Sequence, residues 1–471
     1  MYQEISQFFN YTIFFYAISI MLFYLVLAVI SLFAMREYIR KTKHVYFDDI
    51  LRSPIAPKIS IIAPAYNEEL SIVANIRSLL NLHYNNYDII IVNDGSKDDS
   101  LKKMIAEYDL QAIDGLHCVD LPHKEVQNVY RSLNPAFKKL TVIDKKNGGK
   151  SDALNAGISN SDAELVACID VDCVIEEDAL LKLVKPYLEE TKNRVIAVGG
   201  VVRIANDCKI EDGRLIKVKL AKNQLARFQT LEYIRAFLLG RMAWGHLNGL
   251  LIISGAFGMF DRKLLIEVGG YDTSTVGEDM ELVVRMRRRM AEQKIPYKVA
   301  YVPDPLCWTE VPESTNSFFK QRNRWTRGTI ETLRSHKKIF LRKKYGLMGM
   351  LSYPFWFLYE WLAPIIEFLG ALYFLVMALL GWINWPHFYI LLTLVYSYAV
   401  LISFLALWIE EISYREYSSG RALLTLMFTA LIEPIFYHPL TVWAAIKGNF
   451  DQFILKKKSW GDQQRKGFKK A

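Results

Sequence analysis

The chain has 471 residues, of which 52% are hydrophobic, and its formal net charge at pH 7 is +9. This composition accommodates one sizeable soluble core and a few membrane spans. Much of the positive charge lies beside apolar stretches, at 36–43, 334–344 and 456–470, where it would face anionic lipid headgroups, so we expect no nucleic acid partner. Five cysteines without CxxC spacing predict reduced cytosolic thiols rather than a disulfide framework.

The first predicted element is a membrane anchor within residues 1–45. Residues 13–35 contain no charged side chain and are long enough to cross a bilayer. Basic residues follow this apolar run, from Arg36 to Lys43, whereas a cleaved signal peptide would carry them in front of it. The positive flank therefore predicts a retained anchor whose C-terminal end lies in the cytosol.

Residues 46–340 have the pattern of a cytosolic α/β domain. Short runs rich in β-branched residues alternate with amphipathic stretches, which is typical of βαβ units and a mainly parallel sheet. The predicted strands are 59–64, 88–94, 139–144, 164–170 and 195–202. The predicted helices are 69–80, 100–108, 150–158, 176–189 and, as the longest, 222–244.

The chain becomes apolar again at 341–450, which we assign to interfacial and transmembrane helices. Segments 361–382 and 388–409 are each long enough to span a bilayer. The link between them carries Trp382 and Trp385, and tryptophan is enriched at membrane interfaces. These features predict two spans joined by a short turn at the membrane surface.

Two apolar stretches are open to more than one interpretation. The stretch 345–360 is typical of an interfacial helix, with a short span as the alternative. The stretch 421–447 contains two prolines and could kink, re-enter or cross once. The basic tail at 451–471 favours the cytosol. Because two spans already return the chain there, either 421–447 does not simply cross or 345–382 contains an extra span.

Polar clusters follow several predicted strands, at the sheet edge where open α/β folds bind ligands. PAYNEE contains Tyr66 and Glu68, and NDGS contains Asp94 before a glycine. Either cluster alone is also compatible with an ordinary turn. NGGK places Lys150 at a predicted helix start, where an anionic diphosphate could bind.

Two further clusters are acidic. IDVDC carries Asp170 and Asp172 after an apolar run, and such paired carboxylates can hold a hard divalent cation that also takes phosphate oxygens. The alternative is a solvated pair at a strand end. GED carries Asp279 at a predicted helix start, where an aspartate is often only a helix cap.

The last cluster, QRNRW, combines two cations with an indole and contains Gln321, Arg324 and Trp325. Taken alone, it is compatible with a basic surface helix that faces lipid headgroups. The order of all these clusters in one chain is much more specific than any one of them.

In this order, PAYNEE, NDGS, GGKSDALN, DVD, SGAFGMFDR, GGYD, GED and QRNRW resemble the motifs of processive, inverting family 2 glycosyltransferases. This family contains the cellulose, chitin, hyaluronan and poly-N-acetylglucosamine synthases. The resemblance covers about residues 57–330, and FQTLEYIRAFLLGR at 228–241 is most similar to bacterial poly-β-1,6-N-acetylglucosamine synthases. It implies an α/β fold, a GT-A-like nucleotide-sugar-binding domain with a mainly parallel sheet, inserted between N-terminal and C-terminal transmembrane helices.

The resemblance also implies roles for individual residues. The donor UDP-sugar would be bound by Tyr66, Glu68, Asp94, Lys150 and Asp170. Mg²⁺ or Mn²⁺ would be held on the diphosphate by Asp172, with Asp170 beside it. Catalysis would use Asp279 as the base that deprotonates the acceptor hydroxyl, and the acceptor and diphosphate motif would consist of Gln321, Arg324 and Trp325.

The activity implied is transfer of a sugar from a UDP-sugar, with inversion, to a growing glycan acceptor. The subfamily resemblance implies UDP-N-acetylglucosamine as the donor, and UDP-glucose is the alternative that the sequence leaves open. The protein would be a multi-pass protein of the inner (plasma) membrane, in contact with the lipid bilayer, and accessory export subunits are a further expected partner class. Two alternatives stay open: a transferase that adds a single sugar to a lipid phosphate carrier, and a non-catalytic membrane scaffold or sugar-nucleotide sensor.

Export of the product is a separate hypothesis. Glu360, Glu367 and Glu433 lie in apolar surroundings, where carboxylates are costly and usually line a polar path or pair with cations. A growing polymer could pass between the helices that carry them. The alternative is that Glu360 and Glu433 lie at the membrane interface.

Overall fold

A computed structural model describes residues 2–42, 50–51, 53, 55–113, 119–417 and 419–457. Cys118 and the tail residues 458–471 lie outside this part of the chain. The N-terminal anchor is a single helix, α1 (Tyr2–Thr42), of which Phe9–Thr42 is long and apolar enough to cross a membrane. The cysteines within the described ranges are all free thiols, in agreement with the sequence prediction.

The central domain is built on a ten-stranded sheet. Its strands are β1 (Ile59–Ala65), β2 (Tyr87–Asp94), β3 (Leu110–Ile113), β4 (Val126–Ser132), β5 (Leu140–Lys145), β6 (Leu165–Ile169), β7 (Val174–Ile175), β8 (Arg194–Ile204), β11 (Phe257–Asp261) and β12 (Tyr297–Thr309). A separate hairpin is formed by β9 (Lys209–Glu211) and β10 (Arg214–Lys217).

The strand order is β3-β4-β5-β2-β1-β6-β11-β8-β12-β7. Only β4, β11 and β7 run against the others, so the sheet is mainly parallel as predicted. The five strands predicted from the sequence correspond to β1, β2, β5, β6 and β8. The other five strands of the sheet were not predicted: β3, β4, β7 and β11 lack a clear apolar period, and β12 contains two prolines.

Successive residues along the central strands face opposite sides of the sheet. On β1, Ile59 and Ile61 point into one hydrophobic core, whereas Ile62 points into a second core on the other face. Both faces are covered by helices, which is the usual reason that parallel strands read as continuous apolar runs. The sheet therefore presents its ligand-binding edge where the strands end rather than on either face.

The helices of the central domain connect the strands or cover the sheet. They are α2 (Ile72–Leu80), α3 (Ser100–Tyr108), α4 (Lys150–Ser159), α5 (Ala179–Glu189), α6 (Gln224–Ile234), α7 (Met242–His246), α8 (Arg262–Glu267), α9 (Glu278–Gln293) and α10 (Thr315–Ser335). A π-helical segment, Arg235–Arg241, joins α6 to α7, so the long amphipathic helix predicted at 222–244 is interrupted. Short 3₁₀ turns lie at Pro135–Phe137, Lys337–Ile339 and Lys343–Tyr345.

The C-terminal region is helical and apolar. Its elements are α11 (Tyr353–Phe355) between the π-helical segments Met348–Ser352 and Trp356–Trp361, then α12 (Ala363–Leu379), α13 (Trp385–Ser413), α14 (Gly420–Phe436) and α15 (His438–Phe453). Met348–Leu379 and Trp385–Ser413 are each long and apolar enough to span a membrane. The stretch predicted as a separate interfacial helix at 345–360 is thus part of the same long helical segment as the following span.

The stretch predicted at 421–447 is a pair of helices, α14 and α15, bent by 46° at their junction. Both ends of this pair lie against the central domain. Just before α14, Glu410 forms an ion pair with Arg203, and both side chains are buried. Near the end of α15, Asp451 accepts a hydrogen bond of 2.9 Å from the Asn323 amide of α10. The chain therefore contacts the central domain both shortly before the bent pair begins and near its end.

Candidate functional site

A cavity of about 1420 Å³ lies between the central domain and the membrane helices. The predicted site residues that line it are Lys150, Asp170, Asp279, Gln321, Arg324 and Trp325. Four others, Tyr66, Glu68, Asp94 and Asp172, do not line it. The cavity wall thus combines residues from the sheet edge with residues from α9 and α10, which are far apart in the sequence.

Asp94, at the end of β2, is 3% exposed and its carboxylate holds the glycine loop in place. It accepts hydrogen bonds from the backbone N–H groups of Gly148 at 2.9 Å and Gly149 at 2.7 Å, and forms a 2.7 Å ion pair with Lys145. Gly149 has φ of 91°, a conformation that favours glycine, just before α4 begins. Asp94 therefore shapes the loop that presents Lys150, and its contact with uridine stays a prediction.

The loop after β1 is tied to the loop after β2. The Asn67 N–H donates to Ser96 Oγ at 3.0 Å, and the Glu68 N–H donates to Ser100 Oγ at 2.9 Å. Tyr66 is 43% exposed at this edge, so its ring is accessible to a ligand. Its contact with the uridine stays a prediction.

Lys150 begins α4 and projects into a group of carboxylates. Its Nζ lies 2.6 Å from Asp170 Oδ1 and 3.7 Å from Glu278 Oε1, and it donates to the Gly255 carbonyl at 2.9 Å. Burial by itself lowers the pKa of Lys150, but Asp170 and Glu278 outweigh this effect and raise the pKa above its ordinary value. Lys150 is therefore a fixed positive charge beside the acidic pair.

Ligand atoms of Asp170, Asp172 and Cys173 all lie within 4.8 Å of one another. The hydrogen bond with Cys307, burial and the neighbouring carboxylates raise the pKa of the Cys173 thiol. A thiol is also a softer ligand than Mg²⁺ or Mn²⁺ prefers. The two carboxylates remain as the donors, and oxygen ligands are those that Mg²⁺ and Mn²⁺ prefer. The residues present thus fit the predicted divalent cation, with further positions left for phosphate oxygens.

Asp279 lies in the first turn of α9 and faces the cavity. Its Oδ1 accepts a hydrogen bond from the Met280 N–H at 2.8 Å, and its Oδ2 accepts one from the Gly255 N–H at 3.1 Å. These two backbone donors hold the carboxylate in one orientation and stabilise its charge, as does the helix N-terminus. A group that must receive a proton from a bound hydroxyl needs such a defined position.

The neighbouring Glu278 was not predicted as a site residue. It is 5% exposed, and burial, reinforced by the charge of Asp279, raises its pKa to about 7 although Lys150 and Arg324 act in the opposite direction. An acid in a cavity with a pKa shifted this far is a functional candidate in its own right. The sequence signal was present in the GED motif, but burial of Glu278 follows only from the packing around α9.

Two glycines bring the GED and QRNRW motifs together. A Cβ added to Gly277 would lie 2.6 Å from the Cα of Gly328, so the backbones of these two segments touch. Trp325, on α10 beside Gly328, is 39% exposed and offers a ring face to the cavity. The close approach is therefore what places Trp325 in the same cavity as Asp279.

The cavity continues between the membrane helices, and the three glutamates singled out from the sequence line it. The Tyr24 hydroxyl donates to Glu360 at 2.8 Å, and His438 lies 2.7 Å from Glu367. Glu433 forms a paired ion contact with Arg235. Polar groups of the cavity lining thus lie both at the sheet edge and among the apolar helices.

Comparison with known proteins agrees with this geometry. Residues 60–269 match the sequence profile of "Glycosyl transferase family 2", and residues 165–408, just over half of the chain, match that of "Glycosyl transferase family group 2". A poly-β-1,6-N-acetyl-D-glucosamine synthase of Staphylococcus epidermidis is 30% identical over 275 residues, which are 58% of this chain and 55% of that protein.

A synthase of the same name from Staphylococcus aureus is 26% identical over 356 residues, which are 75% of this chain and 71% of that protein. The chain thus spans 55% of the first of these relatives and 71% of the second. Among solved structures, the mannosyltransferase PcManGT of Pyrobaculum calidifontis, in complex with GDP-Man and Mn²⁺, has a TM-score of 0.49 and 17% identity, over 88% of this chain and 99% of that one.

The resemblance inferred from the motifs is therefore confirmed at the level of the family, together with its GT-A-like fold class. The matched regions contain the strand-end loops, the paired aspartates, Asp279 and the QRNRW helix. The chain belongs to glycosyl transferase family group 2.

Proposed function

We propose that the protein transfers N-acetylglucosamine from UDP-N-acetylglucosamine, with inversion, to the end of a growing polysaccharide. The observation that carries this proposal is a single cavity that continues between the membrane helices and is lined by Lys150, Asp170, Asp279 and Trp325. The choice of sugar is supported by the names of the staphylococcal relatives. Tyr66 would stack on the uracil base, and Glu68 and Asp94 would complete the uridine site.

The donor diphosphate would bind at the sheet edge. Asp170 and Asp172 would hold Mg²⁺ or Mn²⁺, and the bound cation would supply positive charge for the departing UDP. Lys150 and Arg324 would add fixed positive charge where negative charge develops on the leaving group, which is the most effective form of electrostatic catalysis.

The acceptor would lie on the other side of the donor sugar. Trp325 offers an apolar face on which a terminal sugar ring can rest, and Gln321 and Arg324 lie on the same helix. Asp279 would accept the proton of the acceptor hydroxyl as its oxygen forms the new bond to the anomeric carbon and the bond to UDP breaks. The incoming oxygen attacks opposite the leaving group, so the configuration of the anomeric carbon is inverted.

Export would follow the cavity. Its volume of about 1420 Å³ and its lining by Glu360, Glu367 and Glu433 support a path for a hydrated glycan rather than a purely structural gap. In this proposal the bent pair would enter and leave on one side, which would remove the conflict between the number of spans and a cytosolic tail. The catalytic domain would then face the cytosol of a cell whose inner (plasma) membrane contains the helices.

The test is incubation of the purified protein with a panel of UDP-sugars and either Mg²⁺ or Mn²⁺, followed by sizing of the product and linkage-specific digestion. We expect a polymer from UDP-N-acetylglucosamine that a β-1,6-specific glycosidase degrades. A product that carries one sugar on a lipid phosphate would establish the single-sugar alternative instead. If no UDP is released from any donor, the protein is a scaffold or a sensor.

A further inference from the structure

The segment 228–241, which resembles the poly-N-acetylglucosamine synthases most closely, has no role in the transfer step as described. It comprises most of α6 and the π-helical segment that follows. Two of its charged side chains, Glu232 and Arg235, are three residues apart and therefore lie on the same side of the helix. Both line the cavity. Their partners lie on three other elements, α10, α13 and the junction of α14 with α15.

Glu232 forms a two-point ion pair with Arg322 of α10. Arg322 Nη1 donates to Glu232 Oε1 at 2.5 Å, and Nη2 donates to Oε2 at 2.8 Å. Tyr437 closes the group: its hydroxyl accepts from Arg322 Nη2 at 3.1 Å and donates to Glu232. Burial by itself lowers the pKa of Arg322, but Glu232 and the neighbouring tyrosines raise it above its ordinary value, so Arg322 stays charged.

Arg322 also contacts the side chain proposed to bind the acceptor. Its guanidinium lies 4.2 Å from the centroid of the Trp325 ring, within the range of a cation–π interaction. The same guanidinium lies 5.0 Å from the Phe318 ring. Arg322 is buried whereas Trp325 is 39% exposed, so one face of the indole is supported by protein while the ring can still meet a ligand.

The second pair fixes the other side of the helix junction. Arg235 donates to both oxygens of Glu433, at 2.9 and 3.0 Å, and to Ser403 Oγ of α13 at 2.7 Å. Glu433 lies one helical turn before Tyr437, so Arg235 and Glu232 contact two successive turns at the end of α14. Side chains of α6 therefore connect the bend between α14 and α15 to Arg322, the residue that packs against Trp325.

From these contacts we infer that Glu232, Arg322 and Tyr437 are positioning residues that set the Trp325 ring for binding of the acceptor sugar. The inference rests on the proposed function, because it assumes that Trp325 meets the acceptor. A guanidinium is needed at position 322, since it is flat enough to cover an indole and forked enough to hold both carboxylate oxygens of Glu232. A lysine would keep the positive charge, but it could neither cover the indole ring nor hold both oxygens of Glu232 at once.

The test compares R322K with R203K. Arg203 is also a buried arginine that pairs with a membrane-helix carboxylate, Glu410, but it does not line the cavity. R203K therefore makes the same substitution in a buried ion pair elsewhere. Calorimetry measures the Kd of a β-1,6-linked N-acetylglucosamine pentasaccharide in the presence of UDP and Mn²⁺, and separately the Kd of UDP. We expect R322K to raise the oligosaccharide Kd about tenfold with the UDP Kd unchanged within twofold, and R203K to change neither.

Tyr437→Phe is a milder second variant, because it removes only the hydroxyl that joins Arg322 and Glu232. It should raise the oligosaccharide Kd about threefold and fold even where R322K does not. Wild-type affinity in R322K and Y437F, or an equal loss in R203K, would overturn this inference alone. Wild-type protein that binds UDP but no oligosaccharide would overturn both the inference and the proposed role of the acceptor helix.

Discussion

Replacement of Asp279 by asparagine separates the chemical role of this residue from its structural one. The carboxylate accepts one backbone hydrogen bond on each oxygen, from Met280 and from Gly255. Asparagine can still accept the hydrogen bond from the Met280 N–H with its carbonyl oxygen. Its amide nitrogen then faces the Gly255 N–H, and the hydrogen bond from Gly255 is lost. A net hydrogen bond is worth about 1 kcal/mol, so the folded state should lose about that much stability.

The loss of activity should be much larger. Asparagine cannot accept the proton of an attacking hydroxyl, and a positioned general base contributes about 10²–10⁴-fold to a rate. At about 1.4 kcal/mol for each factor of ten, this corresponds to about 3–5 kcal/mol in the transition state. UDP affinity should change by less than about threefold, because Asp279 is not among the carboxylates proposed to hold the metal.

The assay measures UDP release, UDP binding and the unfolding midpoint for Asp279→Asn beside Asp261→Asn. Asp261 is a matched control: it caps α8 through the Leu264 N–H at 2.9 Å and pairs with Arg194, but it does not line the cavity. The control should lose at least as much stability and keep its activity. Polymer synthesis by Asp279→Asn at more than about a tenth of the wild-type rate would refute the assignment of the base.

Three further predictions follow from the site. The pKa of Glu278 is raised from 4.5 to about 7, so the folded state favours the neutral acid. About 3 kcal/mol of the free energy of unfolding, fully present below pH 4.5, should therefore be lost as pH rises through 7. Denaturation midpoints measured against pH should show this loss in wild type and not in Glu278→Gln. Gly328→Ala should lower kcat about 10²-fold, because the added Cβ would lie 2.6 Å from Gly277 Cα and push the two segments apart. The control Gly420→Ala should leave kcat unchanged, because its Cβ would have no atom within 4 Å. Removal of divalent cations with EDTA should weaken UDP binding at least tenfold, and Mn²⁺ should restore it; calorimetric affinity that does not respond to EDTA would contradict the metal site.

Much of the fold could be predicted because its signals are local. The strands 59–64, 88–94 and 195–202 are short, β-branched runs, and the structure has β1, β2 and β8 there. The helix at Ser100–Tyr108 was predicted to the residue. The interruption of the helix predicted at 222–244 was not, since a π-helical segment depends on how its side chains pack rather than on its period.

The candidate site was predicted only in part. The residue types at Asp170, Asp172 and Asp279 indicate their chemistry wherever the backbone places them. Glu278 was missed because a glutamate beside an aspartate looks solvated until its burial is known. The contact of Asp94 with a ligand stays a prediction, and the sequence could not show that its carboxylate also holds the backbone of the glycine loop, more than fifty residues away.

The sequence by itself determined the family, the alternation of strands and helices, the apolar spans and the residue types that make sugar transfer feasible. The family follows from the resemblance of the ordered motifs, whereas the elements and spans follow from periodicity and composition, which act over a few neighbouring residues. Only the tertiary structure decided that one cavity joins the sheet edge to the membrane helices, and that Arg322 lies against Trp325 while paired with Glu232. The physical reason is that such contacts depend on backbones that meet far along the chain, as those of Gly277 and Gly328 do.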